Sequence, residues 1–396
     1  MIYMHLFRKN ILILFISCLF GSLAYTQTPV KNYEKEWKKV EEFTKKNLPK
    51  SALIDVKKIY SLAKTDKQDA QIIKSLVYMV DLQSENRENN DVLSIKEMEK
   101  EIIASSQPAK SVLQSLVAEM YLNYFQNNRW KFYNRTVTIN FIKDDIATWT
   151  AEDFMKKVSA LYLQSIKEEK LLQTQKLESY DAIINKGNVR HLRPTLFDLL
   201  AHRALDYFKN DERDLTKPAY AFEINSDIAF DPATDFIRHK FTTKDTLSLQ
   251  FKALLLYQKL FAFHMNDAKP DALIDVDIDR IEFVNEKGVQ LDKKQLYLKA
   301  LNYIVKRYEN IPAADQAWYL IAKQYQEDAA GFKPYGDSTH RFDRFKAKEI
   351  CDKVLLQKAG LAGKQDSSEG KINCFNLLNE LNQKNLHFYY TKKKIR

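Results

Sequence analysis

Three aspartates are spaced as in a calcium-binding loop. Asp275, Asp277 and Asp279 alternate with other residues, and Glu286 stands at the twelfth position counted from Asp275, which is the acid spacing of an EF-hand. The sixth position, where the sharp turn of that loop requires glycine, is Arg280 instead. We therefore expect these acids to lie on the solvent side of an extended segment, and we predict no metal site and no cofactor.

Two histidine–aspartate pairs have the spacing of neighbours on a helix. Asp198 and His202 are four residues apart, and His340 and Asp343 are three apart, so each pair is a candidate for acid–base chemistry. Because Asp198 also stands at a helix start, a histidine held for structural reasons is the favoured interpretation. The sequence contains neither H-E-x-x-H nor G-x-S-x-G. We predict no catalytic residue and no enzymatic activity; a hydrolase built around His202 or His340 is the least favoured alternative.

Glycine and proline are scarce. The 396 residues include 8 Gly and 9 Pro, about 2% of each against an average usage near 7% and 5%. Turn-rich all-β folds and phosphate-binding loops need more glycine than this. The nearest match to such a loop, Gly360-x-x-Gly363-Lys364, has the wrong spacing. We predict an all-α fold and exclude the common nucleotide-binding motifs.

The elements that position these residues are predicted to be amphipathic helices. Two helix starts carry a capping box, Thr150-x-x-Asp153 and Thr195-x-x-Asp198. Segments 219–230 and 278–291 are instead predicted to be short extended or loop-like stretches. Helical periodicity is found over residues 31–46, 50–64, 69–82, 109–125, 151–170, 196–208, 246–264, 292–308, 315–328, 341–357 and 371–385.

The last part of the chain resembles paired repeat helices. Large and small residues alternate there as in tetratricopeptide (TPR) helix pairs, which favours stacked antiparallel helices. The residues concerned are Trp318, Ile321, Ala322, Tyr325, Ala347, Cys351 and Val354. We predict four parts: a signal peptide over residues 1–24, a helical region over 25–291, TPR-like helical pairs over 292–389 and a basic tail over 390–396.

The N-terminus has the pattern of a signal peptide. Arg8 and Lys9 precede an apolar run, and Ser22 and Ala24 supply the small residues for cleavage after Ala24, or a few residues later before Gln27. The apolar run is shorter than the ~20 residues that span a bilayer. An alternative is a lipoprotein acylated at Cys18, although the residues before Cys18 match that motif poorly. We predict export to the periplasm or cell envelope.

The excess of basic residues does not indicate nucleic-acid binding. The formal net charge of +10 falls to +8 when Arg8 and Lys9 are removed with the signal peptide. Acids and bases interleave over segments such as residues 31–58, which is typical of a solvated helix surface. We predict no nucleic-acid partner, and contact with the membrane only through the signal peptide or through lipidation.

Two cysteines, Cys351 and Cys374, remain after the predicted cleavage. An even number of cysteines in an exported chain favours a disulfide, which would stabilise the fold by roughly 3 kcal/mol for a loop of this length. The alternative is two free buried thiols on neighbouring helices.

The four tryptophans are scattered over predicted helices. Trp37, Trp130, Trp149 and Trp318 are therefore expected to anchor the core, with a carbohydrate-binding platform as the alternative.

Several stretches of the sequence resemble the same protein family. They are Asn127-Asn128-Arg129-Trp130, residues 144–149, residues 192–208 with the sequence LRPTLFDLLAHRALDYF, residues 280–284, residues 296–301, and the end with Ile350-Cys351, Ser368-Glu369-Gly370 and Asn373-Cys374. Together they resemble the N-terminal helical region of the large alpha-2-macroglobulin family proteins of Bacteroidetes. The resemblance extends over residues 33–386.

This resemblance implies an exported protein whose full-length relatives trap or inhibit proteases. In that family a helical region precedes β-sandwich domains, a bait segment and often a Cys-Gly-Glu-Gln thioester. No Cys-x-Glu-Gln occurs here, so no inhibitory residue is carried over, and an N-terminal fragment produced by a premature stop or frameshift is the simplest hypothesis.

We expect a non-enzymatic helical interaction region of an alpha-2-macroglobulin-like protein, in a family of endopeptidase inhibitors. Its partner would be a protein: the rest of such a protein, an envelope protein or a protease. The alternative is a stand-alone helical scaffold or binding module of the cell envelope.

Overall fold

A computed structural model describes residues 32–84, 87–132, 145–185, 187, 189–210, 218–333, 335–356 and 369–394; for residues 383–394 it describes the backbone alone. The predicted signal peptide with Cys18 and Ala24 lies outside these ranges, as do Gly360 and Gly363. No helix in the described ranges has the length and apolar character of a membrane span.

The described residues form fifteen α-helices and no β-strand, and 74% of the structure is helical. This confirms the predicted all-α fold of packed helices. In chain order the α-helices are α1 (Glu34–Lys45), α2 (Pro49–Thr65), α3 (Asp69–Ser84), α4 (Asn90–Ala104), α5 (Ala109–Asn128), α6 (Ala151–Ser165), α7 (Glu169–Thr174), α8 (Leu196–Phe208), α9 (Ala233–Arg238), α10 (Leu249–His264), α11 (Asp271–Lys287), α12 (Lys293–Arg307), α13 (Asp315–Asp328), α14 (Asp343–Leu356) and α15 (Glu369–Lys394).

Both predicted capping boxes form. In α6 the Thr150 hydroxyl accepts a hydrogen bond from the Asp153 backbone N–H, and the Asp153 carboxylate accepts one from the Thr150 backbone N–H. Thr195 and Asp198 make the same reciprocal pair at the start of α8. Each box satisfies backbone donors that a helix start otherwise leaves without a partner. These two sequence signals therefore locate the start of each helix to the residue.

The prediction of an extended segment over residues 278–291 is wrong, because residues as far as Lys287 belong to α11. Apolar Ile274, Val276 and Ile278 alternate with acids, and this period of two resembles a strand. The helix is in fact buried on nearly every face, so its apolar residues need not follow a single stripe. Segment 219–230 is irregular until the short 3-10 helix Asp227–Phe230.

The observed helices differ from the predicted ones in three further places. The helix predicted over residues 151–170 is two helices, since α6 ends at Ser165 and α7 begins at Glu169. Helices α4 and α9 occur where no helix was predicted. Apolar Val92, Ile95, Met98 and Ile102 do give α4 a helical period, whereas α9, with 6 residues, is too short to show one.

The first of two compact units, Met1–Asn90, contains α1, α2 and α3. Helix α2 packs against both of the others, around a core that includes Trp37 and Val56. The indole Nε1 of Trp37 donates a hydrogen bond of 2.7 Å to Gln71. Asn47 and Lys67, with φ of 54° and 53°, take the left-handed conformation that commonly ends helices.

The second unit, Asp91–Arg396, contains the other helices and the predicted division between residues 291 and 292. Helix α5 packs against α6, and both contact α8. Helix α8 packs against α10, α10 against α11, α11 against α12, and α12 against α13. Helices α13, α14 and α15 contact one another, and their TPR-like pairing stays a prediction. The central position of α11 in this series explains its burial.

Candidate binding cavity

A cavity of about 550 Å³ lies in the second unit, where four segments of the chain meet. One wall is the N-terminal half of α11, and the others are the segment before α8 and the starts of α13 and α15. Four carboxylates line it, from Asp267, Asp271, Asp275 and Glu369. The volume is in the range of small-molecule and side-chain binding sites.

Helix geometry places two of these acids side by side. Asp271 and Asp275 are four residues apart on α11, so their side chains project from the same face, together with Ile278 one turn further on. Gly370 allows the start of α15 to lie against α13, because a Cβ atom at this position would collide with the backbone carbonyl carbon of Asp315. This close approach puts Glu369 at the cavity.

Beneath the cavity, Asp198 joins the start of α8 to the end of α10. One carboxylate oxygen of Asp198 accepts hydrogen bonds from Thr195 as part of the capping box, and the other lies 2.8 Å from His264 Nε2. His264 Nδ1 lies 2.7 Å from a carboxylate oxygen of Asp267. Burial acts to lower the pKa of His264, but the two carboxylates outweigh it and the pKa is raised. Both ring nitrogens of His264 thus face carboxylate oxygens, an arrangement that favours the imidazolium form.

His202 has the opposite protonation preference. Its Nδ1 lies 2.8 Å from the backbone carbonyl oxygen of Asp198, which can only accept, so Nδ1 carries a proton. Burial, together with the nearby charge of Arg193, lowers the pKa of His202 to about 4. The ring is neutral at pH 7 and Nε2 carries a lone pair. Nε2 is buried and has no hydrogen-bond partner.

Asp275 links this histidine to the cavity. Its Oδ2 lies 4.0 Å from His202 Nε2 and 3.4 Å from Arg193 Nε. Burial raises the pKa of Asp275, and Arg193 offsets only part of that rise. The carboxyl side chain is 24% exposed, toward the cavity that it lines. The predicted acid–base pair of Asp198 and His202 is not formed between side chains; the acid that faces His202 is Asp275.

The three aspartates with EF-hand spacing point to different surroundings. They lie on a helix rather than on a loop or an extended segment, so the expected solvent-facing row is wrong. Asp277 is buried and forms a 2.6 Å ion pair with Arg280. Asp279 binds Lys209 Nζ at 2.7 Å and the Tyr257 hydroxyl. Only Asp275 faces the cavity, and these acids do not converge on one ion.

His340 and Asp343, the second predicted pair, lie close together with Asp328. The three residues offer ligand atoms within 4.8 Å of one another, the one such metal-ligand group found in the described ranges. His340 Nδ1 lies 2.7 Å from Asp343. However, each carboxylate already pairs with a lysine: Asp328 with Lys294 at 2.6 Å and Asp343 with Lys346 at 2.8 Å. The two ammonium groups therefore already neutralise much of the negative charge that a cation would need.

The two cysteines meet between α14 and α15. Cys351 and Cys374 are buried thiols in hydrogen-bonding contact; that contact lowers the pKa of Cys351 and raises the pKa of Cys374. The disulfide remains a prediction, and the neighbouring helices that either alternative requires are present.

The tryptophans differ in burial. Trp37 is buried, and Trp149 stacks on Tyr121 with ring centroids 5.4 Å apart. Trp318 is partly buried and packs against the α13–α15 core. Trp130 is 73% exposed, so its prediction as a core anchor is wrong.

Several residues of this site were not predicted from the sequence. His264 and Asp267 have the spacing of helix neighbours, which is a usable signal. Arg193 and Glu369 carried no signal, because they reach the site from distant parts of the chain. Comparisons with protein-family models, with curated proteins and with solved structures found no match.

Proposed function

We propose that this chain is a non-enzymatic helical interaction region of an exported protein similar to the N-terminal part of alpha-2-macroglobulin family proteins, and that it recognises a protein partner through the cavity. The resemblance of the sequence and the all-α fold support the family. The cavity supports the recognition, because it is concave, is built from four segments and has charged groups at its wall.

The residues that line the cavity favour binding of a partner rather than catalysis. The described residues that line the cavity include no serine, threonine, cysteine or tyrosine, so no hydroxyl or thiol nucleophile faces it. Two histidines lie behind the wall: His202 uses Nδ1 to bond a backbone carbonyl, and His264 is held between Asp198 and Asp267. A third, His191, is part of the lining. Burying an acid beside a neutral imidazole without a direct hydrogen bond costs stability, and perturbed groups of this kind are enriched at functional sites.

The test is capture of a partner from an envelope extract of the organism that encodes the chain. The immobilised protein is compared with two variants: Ala313→Phe, which fills the cavity, and Ala104→Phe, which places the same side chain at an exposed position of α4. We expect the wild type and Ala104→Phe to retain a macroglobulin-like protein or a protease, and Ala313→Phe to lose it.

Other outcomes separate the alternatives. A retained envelope complex without either class of protein would support the stand-alone scaffold instead. Equal retention by Ala313→Phe, with circular dichroism showing both variants folded, would remove the cavity from the mechanism. Retention no greater than on empty resin would contradict both functions.

Export is tested separately from partner binding. Cleavage after Ala24 predicts a mature protein that begins at Tyr25, which N-terminal peptide mass spectrometry detects in an envelope fraction. An intact N-terminus in a cytoplasmic fraction would contradict export, and a lipid-modified Cys18 would support the lipoprotein alternative.

A further inference from the structure

The start of α15 is held beside the cavity by a backbone contact and by a pair of thiols. Glu369 and Gly370 are part of the cavity lining, and Gly370 lies against the Asp315 backbone of α13. Cys374 follows Gly370 by four residues, so both positions are on one face of α15, one turn apart. The Cys374 thiol contacts the Cys351 thiol of α14. The cysteine pair therefore joins α15 to α14 one helical turn from the cavity wall.

Helix α15 packs against α13 and α14 through a small apolar core. Besides Cys374, the buried residues that it contributes to this core are Leu377, Leu378 and Leu381. Ile372 and Phe375, on other faces of the same turns, are exposed. A helix that is packed in this way can open locally at a lower cost than unfolding of the whole unit. Opening of α15 would remove Glu369 and Gly370 from the cavity wall.

Burial limits the access of other molecules to the two thiols. Cys351 and Cys374 are both fully buried, so a disulfide or a reductant in solution reaches them only when α15 opens away from α14. The hydrogen bond from Cys374 stabilises a thiolate at Cys351 and lowers the pKa of Cys351, whereas the same contact and burial raise the pKa of Cys374. Cys351 is therefore the thiol that attacks first.

We infer that Cys351 and Cys374 form a redox latch: the oxidised pair fixes α15 and with it the cavity wall, and the reduced pair lets α15 open. For oxidation, the Cys351 thiolate attacks a disulfide RSSR, for example that of a thiol–disulfide oxidoreductase. A bond forms between Cys351 and one RS group, and the other RS group leaves as a thiolate. The Cys374 thiolate then attacks the Cys351 sulfur and displaces the second RS thiolate. The two protons lost by the cysteines convert both leaving groups to RSH, so two electrons pass from the cysteine pair to RSSR.

The latch regulates the site of the proposed function, and the inference rests on that function for the role of the cavity. The disulfide excludes the open states in which α15 separates from α14, because Cys374 can no longer move away from Cys351. It thereby keeps Glu369 and Gly370 in the wall that a partner would contact. Once α15 has closed over the bond, burial also protects the disulfide from reductants, so the oxidised state persists after the oxidant is gone.

Hydrogen–deuterium exchange of the whole protein, followed by mass spectrometry, tests the latch. One sample is oxidised with glutathione disulfide and the other is reduced with dithiothreitol. We expect amide exchange over residues 370–381 to be roughly tenfold slower or more in the oxidised protein, and exchange over α5, in the same unit, to be equal in both. In the double variant Cys351→Ala with Cys374→Ala, exchange over residues 370–381 should not respond to glutathione disulfide. Each protein serves as its own reference, so a loss of packing in the variant does not affect the comparison.

The inference is overturned if peptide mapping of the oxidised protein finds no bond between Cys351 and Cys374, if that bond forms without slowing exchange over α15, or if the double variant responds to glutathione disulfide as the wild type does. Its failure is distinct from failure of the proposed function, because exchange is measured without a partner. A partner captured equally well by oxidised and reduced protein would leave the function standing and contradict its control by the latch. Slower exchange on oxidation without any captured partner would support the latch and contradict the function.

Discussion

Replacing Arg280 by methionine should strongly lower the stability of the second unit. The Arg280 side chain is about 1% exposed. Its guanidinium donates to the carbonyl oxygens of Ala229 and Asp231 at 2.7 and 2.8 Å and to Asp277 at 2.6 Å. The guanidinium also lies 4.7 Å from the centroid of the Phe236 ring. The side chain thus connects α11 to the segment that precedes α9.

The magnitude follows from what methionine leaves behind. Methionine fills most of the volume but leaves the Asp277 carboxylate, 7% exposed, without its counter-charge, and breaking one side of a buried pair costs about 3–5 kcal/mol. The unit spans Asp91–Arg396, and at an unfolding entropy of about 2.1 cal/mol/K per residue each kcal/mol lowers Tm by roughly 1.6 °C. We therefore expect a decrease of about 5–8 °C, measured by circular dichroism.

Two controls test the reasoning. The double variant Arg280→Met with Asp277→Leu should recover a large part of the loss, because a buried ion pair can be replaced by apolar side chains at little cost. In Arg280→Met alone the pKa of Asp277 should rise further, so that stability relative to wild type improves as the pH is lowered from 7 and the carboxyl takes up a proton. A single variant within about 1 kcal/mol of wild type in urea unfolding would refute the account, since it would lie well below the expected range.

Three further predictions concern the same unit. Gly370→Ala should destabilise by about 1–3 kcal/mol, because the added Cβ meets the Asp315 backbone; unchanged urea unfolding would contradict the close approach. Because His202 is neutral in the fold, with its pKa lowered to about 4, stability should fall by about 3 kcal/mol between pH 6.5 and pH 4, and His202→Gln should flatten that slope. Cys351 and Cys374 should be oxidised in protein isolated from the envelope and add roughly 3 kcal/mol; two free thiols in a titration of unfolded, unreduced protein would refute this.

Local signals allowed parts of the fold to be predicted well. The capping boxes at Thr150 and Thr195 involve residues three positions apart, and their geometry forms whenever the helix forms. Helix α8 was therefore predicted to the residue. The break between α6 and α7 was not predicted, because nothing in the local sequence from Ser165 to Glu169 excludes a continuous helix; tertiary packing overrides propensity there.

Helix α11 shows why periodicity fails at the centre of a fold. When a helix is contacted from nearly all sides, almost any position is buried, and the hydrophobic pattern no longer marks a face. The acids of α11 then appear to alternate like those of a strand. Asp277 and Arg280 are three residues apart, which is the spacing of an ion pair on a helix. The EF-hand pattern hides this signal, because in that pattern position 280 matters only as the place of a glycine.

The cavity was beyond prediction for a different reason. Asp271 and Glu369 each begin a helix, where an acid is favoured by the helix dipole alone. The position of each acid at a helix start is therefore enough to explain its presence, and nothing in the sequence indicates that the two lie at the same cavity. Only the packing of α15 against α13, which depends on Gly370, brings Glu369 to the wall that α11 forms.

The character of the site nevertheless depends on one local feature, the start of α8. Asp198 caps this helix with one carboxylate oxygen and holds the His264 ring with the other. Its backbone carbonyl accepts from His202 Nδ1 and so leaves the Nε2 lone pair directed at Asp275. Arg193 Nε, 3.4 Å from the same Asp275 oxygen, is the positive group beside these two acceptors. The placement of both histidines thus follows from the hydrogen bonds that begin the helix, and a substitution of Asp198 would disturb the cap of α8, His264 and His202 together.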